Sequence, residues 1–343
     1  MIVSVCADKG APGVSELATV LGLVWPGPRL VLEADCSGGD LAFRLTHADG
    51  DRLLDAHPSV LSLAADARGA LPDGGVLRYT QPTLLGVPVL AGALSAEGFG
   101  AMARLWPRVA ELASGWDGTV IADLGRFQPG DPATPIARAS AVVLLLARPD
   151  LAGLYHLRDR VIELAATFGD PAAERNPVAV VVRAPAGNAG KAALGQVRQL
   201  LEAAGSPIPV VGMFADDPAG VALLRAGQLS RRLLGSELVR SGQALAETVL
   251  SWWPQLLSPE PTATTAPPAV PVPPAGERLM RGLRPSRRTK ETTADQDASP
   301  VDTSPGPSSP GHSSSVGSLP IDAPPVQLGA APLGPVPLGQ VPV

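Results

Sequence analysis

The chain has 343 residues, 45% of them hydrophobic but only 3% aromatic, enough for one large domain with a Val/Leu/Ala core. A net charge of −5 argues against strong nucleic-acid binding by the whole protein. Two cysteines, Cys6 and Cys36, make no disulfide framework and fit a reducing cytosol. Residues 1–25 lack the pattern of a secretory signal, and no run of 18 apolar residues marks a spanning helix, so a cytoplasmic protein is expected.

Ile2-Val3-Ser4-Val5-Cys6 reads as a short buried strand, and a helical pattern runs from about Val14 to Val24. Between them lies Lys9-Gly10-Ala11-Pro12-Gly13-Val14-Ser15. A glycine-bearing turn from strand to helix lets backbone N–H groups point inward at a helix N-terminus, which is how proteins cradle phosphates. The same turn also serves as an ordinary connector. Arg29 to Glu33 reads as a second strand, running into Ala34-Asp35-Cys36-Ser37-Gly38-Gly39-Asp40. Asp35 there reads either as a turn-capping acid or as a site residue.

Thr119 to Asp123 is a third strand, ending in an acid and followed by Leu124-Gly125-Arg126-Phe127. Ala141 to Leu146 is a fourth, followed by Arg148-Pro149-Asp150 and a helix from Leu151 to Phe168. Val178 to Val182 is a fifth, ending at Arg183. Ile208 to Asp217, with Asp216 in its closing loop, contains a sixth, and a helical segment Val221–Gly227 comes after it. Strands alternating with helices predict a doubly wound, mostly parallel sheet with helices on both faces. In such sheets ligands sit at the carboxyl ends of the strands. The 9–15 loop, Asp35 and Asp123 all fall at such ends.

The last helix, Glu237 to Leu257, carries Trp252-Trp253. The pair reads as packing of the helix on the core or as a membrane-interface belt. From Ser258 to Val343 the chain is Pro, Ser, Thr, Ala and Gly without a period, and is expected to be a disordered tail. Its Pro-rich end can serve as a docking site or only as a spacer. Within it, residues 277–290 hold six cations and one anion, with Leu279, Met280 and Leu283 able to share a helix face. That island fits reversible membrane contact, DNA phosphate binding or a plain solvated charge run.

Over residues 1–255 these motifs, in this order, resemble the ParA/MinD family of deviant Walker A ATPases. The family pattern is Lys-Gly-Gly-x-Gly-Lys-Ser/Thr; Lys9, Gly10, Gly13 and Ser15 match four of its six fixed positions. Ala11 replaces a glycine, and Val14 stands where the invariant P-loop lysine belongs. The Asp35 segment resembles switch I, with Glu33 in place of a first aspartate, and the strand ending at Asp123 resembles Walker B. Arg126-Phe127 departs from the family's switch II.

The resemblance implies a P-loop NTPase fold of the SIMIBI type that takes ATP or ADP with Mg²⁺. It implies nucleotide contacts from Lys9, Gly10, Ala11, Pro12, Gly13, Val14, Ser15 and Glu16. Arg183 sits where relatives carry an adenine-touching asparagine, and Asp216 lies in the adenine-side loop. Ser15 and Asp123 would hold the metal, Asp123 through water. Asp35 would orient the attacking water, and Lys9 would reach the phosphates of a partner subunit. Having valine at position 14 removes a preorganised interaction worth about 3–4 kcal/mol in the transition state, roughly a thousandfold in rate.

The resemblance thus points to a homodimeric positional scaffold with weak or absent hydrolysis, acting at a cell pole, septum or secretion or pilus assembly. A protein partner through the tail or domain surface, and peripheral contact with the inner face of the plasma membrane, are further expectations. Two other readings remain open. One is a slow, genuine ATPase for chromosome or plasmid partitioning or division-site placement. The other is a nucleotide-free interaction module.

Overall fold

A computed structural model of the chain describes residues 1–10, 12–69, 71–169 and 177–257. The expectations for Ala11 and for the tail with its basic island lie outside the described residues. Seven strands form one sheet: β1 (Ile2–Ala7), β2 (Arg29–Glu33), β3 (Val89–Leu90), β4 (Thr119–Arg126), β5 (Ser140–Ala147), β6 (Val178–Ala184) and β7 (Val210–Ala215). Their spatial order is β3-β2-β4-β1-β5-β6-β7, and every adjacent pair is parallel. The doubly wound α/β class expected from the sequence is the class observed.

Each crossover carries helix or turn. The helices are α1 (Val14–Val24), α2 (Leu41–Arg44), α3 (Val60–Asp66), α4 (Ala96–Ala101), α5 (Trp106–Ser114) and α6 (Thr134–Arg138). They continue with α7 (Leu151–Phe168), α8 (Asn188–Ala203), α9 (Pro218–Arg225), α10 (Arg231–Leu234) and α11 (Glu237–Trp252). The strands are apolar on both sides because both sides are covered, as parallel sheets require. Alternate residues of β1 divide between two cores. Ile2 and Cys6 join a cluster with Trp106, Ile136, Val161 and Val197. Val3 and Val5 join one with Leu17, Leu21, Leu238 and Val249.

Several boundaries differ from the sequence expectation. β4 runs on to Arg126 instead of stopping at Asp123, because its far end still pairs with β1, Ala7 opposite Arg126 after an irregularity. Helix α11 ends at Trp252, and a 3₁₀ turn over Pro254–Leu256 follows where Pro254 ends the helical pattern. The tryptophans split: Trp253 is buried against the core, whereas Trp252 is 37% exposed.

β1 sits between β4 and β5, so the chain turns to opposite sides of it. That reversal of direction opens a crevice at the carboxyl edge beside β1. Helix α1 is held close above it by two small residues. A side-chain carbon added at Gly22 would stand 2.5 Å from a Val31 methyl, and one added at Gly242 of α11 would collide with a Val20 methyl. Overpacking such a crossing costs roughly 1–3 kcal/mol. Gly242→Val is therefore expected to lower unfolding free energy by about that amount in urea titration. Gly195→Ala on α8, where no atom lies within 4 Å of the added carbon, is expected to leave it unchanged or raise it slightly.

Candidate nucleotide-binding site

The crevice is built from strand ends. β1 leaves the sheet at Ala7, and the chain returns as α1 at Val14, with Gly10 at φ 76° and Gly13 at φ 97°. Only glycine adopts such angles without strain, so the turn is specified by its residues. Gly13 caps the helix, and its carbonyl accepts the Leu17 N–H at 2.9 Å. Pro12 contributes no N–H to this turn.

Three acids meet beside it. Glu33, at the end of β2, and Asp123, inside β4, are register partners. Asp123 has no exposed surface; its Oδ1 accepts the Gly125 N–H at 3.0 Å, and its Oδ2 has no hydrogen-bond partner. Burial pushes the Asp123 carboxyl up to about 7, and the nearby Glu33 and Asp35 charges add to the rise. The Ser15 hydroxyl and the Gly125 N–H work in the opposite direction, which places Ser15 beside the carboxyl.

Asp35 is half-buried, accepts the Ser37 N–H at 2.8 Å, and is also pushed up by burial. It presses on Gly125, where an added side-chain carbon would collide with the Asp35 carboxylate. Gly125, at φ 57°, is thus demanded by both backbone angle and space. Asp35, Ser15, Gly13 and Gly10 line one cleft of about 300 Å³.

Glu33 has a different task. Its Oε1 accepts N–H groups from Asp40 and Leu41 at 2.7 and 2.8 Å, and its Oε2 accepts that of Gly92 at 2.8 Å. With 1% exposure it ties the turn after β2 to the end of β3. The sequence pattern places Glu33 in the switch but is silent on this latch, because Gly92 is 59 residues away.

Glu16, Arg183, Asp216, Arg148 and Arg225 line a neighbouring cleft of about 440 Å³ with Pro12 and Gly13. Arg183 is 5% exposed, stacks on the Phe214 ring at 4.7 Å and donates to Asp216 Oδ1 at 3.3 Å. Its Nη1 is buried without a partner. Glu16 Oε1 accepts from Arg225 Nη2 at 3.0 Å. The sequence singles out Glu16, Arg183 and Asp216, but Arg225 reads there only as part of a helix.

Val14 borders the cleft of Ser15 and Asp35 but sends its side chain inward, and Lys9 turns away. Val14 is 6% exposed and belongs to the core beneath α1. Lys9 turns toward α7, with Nζ 3.3 Å from His156 Nε2, in a separate hollow of about 240 Å³. Beside it, Asp8 is paired with Arg160 at 2.6 Å.

The donors divide when tested against a metal-bearing nucleotide. Asp123 Oδ2, buried, unpartnered and beside Ser15, fits an ion that keeps most of its water. Among the described residues no group of three or more His, Cys, Asp or Glu could hold a metal by itself, so waters and a ligand would complete the shell. The turn offers amides and a helix N-terminus for phosphate. It lacks a cation at Val14, and the Glu16 carboxylate stands over Gly13, filling the place a side-chain carbon there would take. The fit holds once Glu16 gives up that place.

No protein-family model matches the chain, and no curated protein matches it either. Solved structures do match its fold. A ParA family ATPase from Chlorobium tepidum TLS superposes with TM-score 0.55 at 15% identity, covering 72% of this chain and 98% of that one. A plasmid partition protein from Borrelia burgdorferi B31, described as putative and bound to AMPPNP, gives 0.54 at 11%, covering 73% and 98%. The septum site-determining protein MinD from Pyrococcus horikoshii OT3, complexed with Mg-ADP, gives 0.52 at 18%, covering 72% and 95%. The chain therefore has the fold of the ParA/MinD ATPases.

A buried acid whose folded pKa is raised favours folding while it is protonated. That contribution is complete below its unfolded value near 3.8 and is lost as pH rises through about 7. Wild-type melting temperature is expected to fall between about pH 4 and 8, the window set by the unfolded value near 3.8 and the folded value of about 7. Asp123→Asn, which cannot ionise, is expected to flatten that slope and to melt higher than wild type at the alkaline end, read by differential scanning calorimetry.

Proposed function

We propose that the protein is a nucleotide-binding positional scaffold on the ParA/MinD fold, which holds ATP or ADP with Mg²⁺ weakly and turns it over little or not at all. The observation that carries this reading is the separation at the 9–15 turn. Ser15 and the buried Asp123 lie together, where they could hold a metal, while the position of the phosphate-binding lysine is a valine packed into the core. When bound, the ion would neutralise phosphate charge. Ser15 and Asp123 would orient it, and the amides of the turn would hold the phosphate chain.

Retention of the metal pair without the lysine supports binding over catalysis. Phosphoryl transfer depends on preorganised positive charge around the reacting phosphate, and removing one such charge lowers the rate steeply. That solved proteins of this fold were obtained with Mg-ADP and with AMPPNP supports the choice of ligand.

A homodimer is part of the proposal. Lys9 points out of its own cleft, toward α7, where Leu151 and Tyr155 are 88% and 62% exposed. A second subunit would cover that apolar surface and receive the lysine. The chain would then use nucleotide to report or fix its assembly state and to place a protein partner, at a pole, a septum or a secretion assembly.

Asp35 favours one second reading, a slow ATPase. It lines the same cleft as Ser15. The two readings separate in one experiment. Titration calorimetry with ATP–Mg²⁺ is expected to show weak binding that falls in Asp123→Ala. Phosphate release is expected to be the same in wild type and Asp35→Ala. Release that is measurable in wild type and lost in Asp35→Ala would establish the slow ATPase instead, and absence of nucleotide binding would remove both readings.

A further inference from the structure

The head of α1 is a place for an anion, and the structure has put one of its own there. The helix is 11 residues long, and its cap Gly13 and first-turn Glu16 line the 440 Å³ cleft, so its N-terminus attracts negative charge there. An independent feature points to the same spot. Arg183, with its side chain 4% exposed, carries a buried Nη1 that no group accepts, and a side-chain carbon added at Gly13 would lie 2.9 Å from it. A buried guanidinium nitrogen left without an acceptor is costly, and one aimed at a helix N-terminus is poised for an oxyanion.

Glu16 brings a carboxylate oxygen to the same spot. Its Oε2 occupies the place of that same added carbon, while its Oε1 holds Arg225 of α9 at 3.0 Å. Glu16 is 13% exposed in its side chain, and Arg225 is 57% exposed. The latch is therefore closed on its inner half and wet on its outer half. Three guanidiniums, of Arg148, Arg183 and Arg225, face two carboxylates, of Glu16 and Asp216, in this cleft.

We propose that Glu16 is a built-in occupant of an oxyanion subsite formed by the head of α1, Arg183 and Arg225, and that a phosphate group of a ligand binds there only by displacing it. The site takes a phosphate or pyrophosphate group. A carboxylate in the way sets a threshold: ligand must break the Glu16–Arg225 pair and overcome like-charge repulsion before it reaches Arg183. This deepens the nucleotide reading given above and rests on it only for the identity of the natural ligand.

The test uses the full chain and two probes, inorganic pyrophosphate and ADP–Mg²⁺, in titration calorimetry. Glu16→Gln keeps the shape of the side chain, and Glu16→Ala removes it; both are first checked for unchanged melting temperature. Each is expected to bind pyrophosphate and ADP at least tenfold more tightly than wild type. Adding Arg183→Met to Glu16→Gln is expected to abolish that gain. If Glu16→Gln and Glu16→Ala bind pyrophosphate no more tightly than wild type, the proposal is overturned. A gain for pyrophosphate without one for ADP would leave the subsite standing and remove the nucleotide reading. Strong ADP binding by wild type, unchanged in both variants, would do the reverse.

Discussion

An acid with no exposed surface and one oxygen without a partner is the fixed point of this molecule. Asp123 sits inside the sheet, in β4, with Glu33 across from it on β2 and Asp35 close by. Burying a charge there is expensive. The protein limits the cost in two ways. Glu33 gives its oxygens to three backbone N–H groups, and Asp123 itself rises to about 7, so that near neutrality it is partly protonated. The Ser15 hydroxyl lies beside the same carboxyl. The sheet topology explains why it lies there: β1 between β4 and β5 opens the crevice into which these ends project.

The phosphate side of the crevice is governed by the opposite charge problem. An amide-lined turn and a helix N-terminus attract anions, yet the side chain that would complete the attraction is Val14, held in the core beneath α1. Arginines supply the positive charge instead, from β6 and α9, and each already has a carboxylate partner: Asp216 for Arg183 and Glu16 for Arg225. Attraction is thus present and mostly paired internally, with Arg183 Nη1 left without an acceptor. Lys9 leans away from this cleft, toward α7.

Much of this was legible in the chain. Strands β1, β2, β5 and β6 are continuous apolar runs bounded by polar or turn residues, and buried parallel strands have few other ways to be written. The strand–glycine–helix order at residues 2–24 marks the crevice, and Asp35, Asp123 and Ser15 lie near one another beside it. What escaped the sequence was of two kinds. Strand β3 has only two residues, too short for a period to register, and the helices between Val60 and Ser114 are short pieces within a Pro- and Gly-rich stretch. The long-range partners were equally silent. Glu33 to Gly92, and Glu16 to Arg225 across 209 positions, are pairings that only the folded sheet creates. Arg183 was placed at the site through its position after β6, but its unsatisfied nitrogen and its stacking on Phe214 are properties of packing.

The most direct measurement is a crystal structure of the protein with ADP and Mg²⁺. The account predicts the phosphates along the backbone from Gly13 to Ser15, the metal on the Ser15 and Asp123 side, and the Glu16 side chain turned away from Gly13. Phosphates bound elsewhere on the surface, or bound at this turn with Glu16 still in place against Arg225, would contradict it.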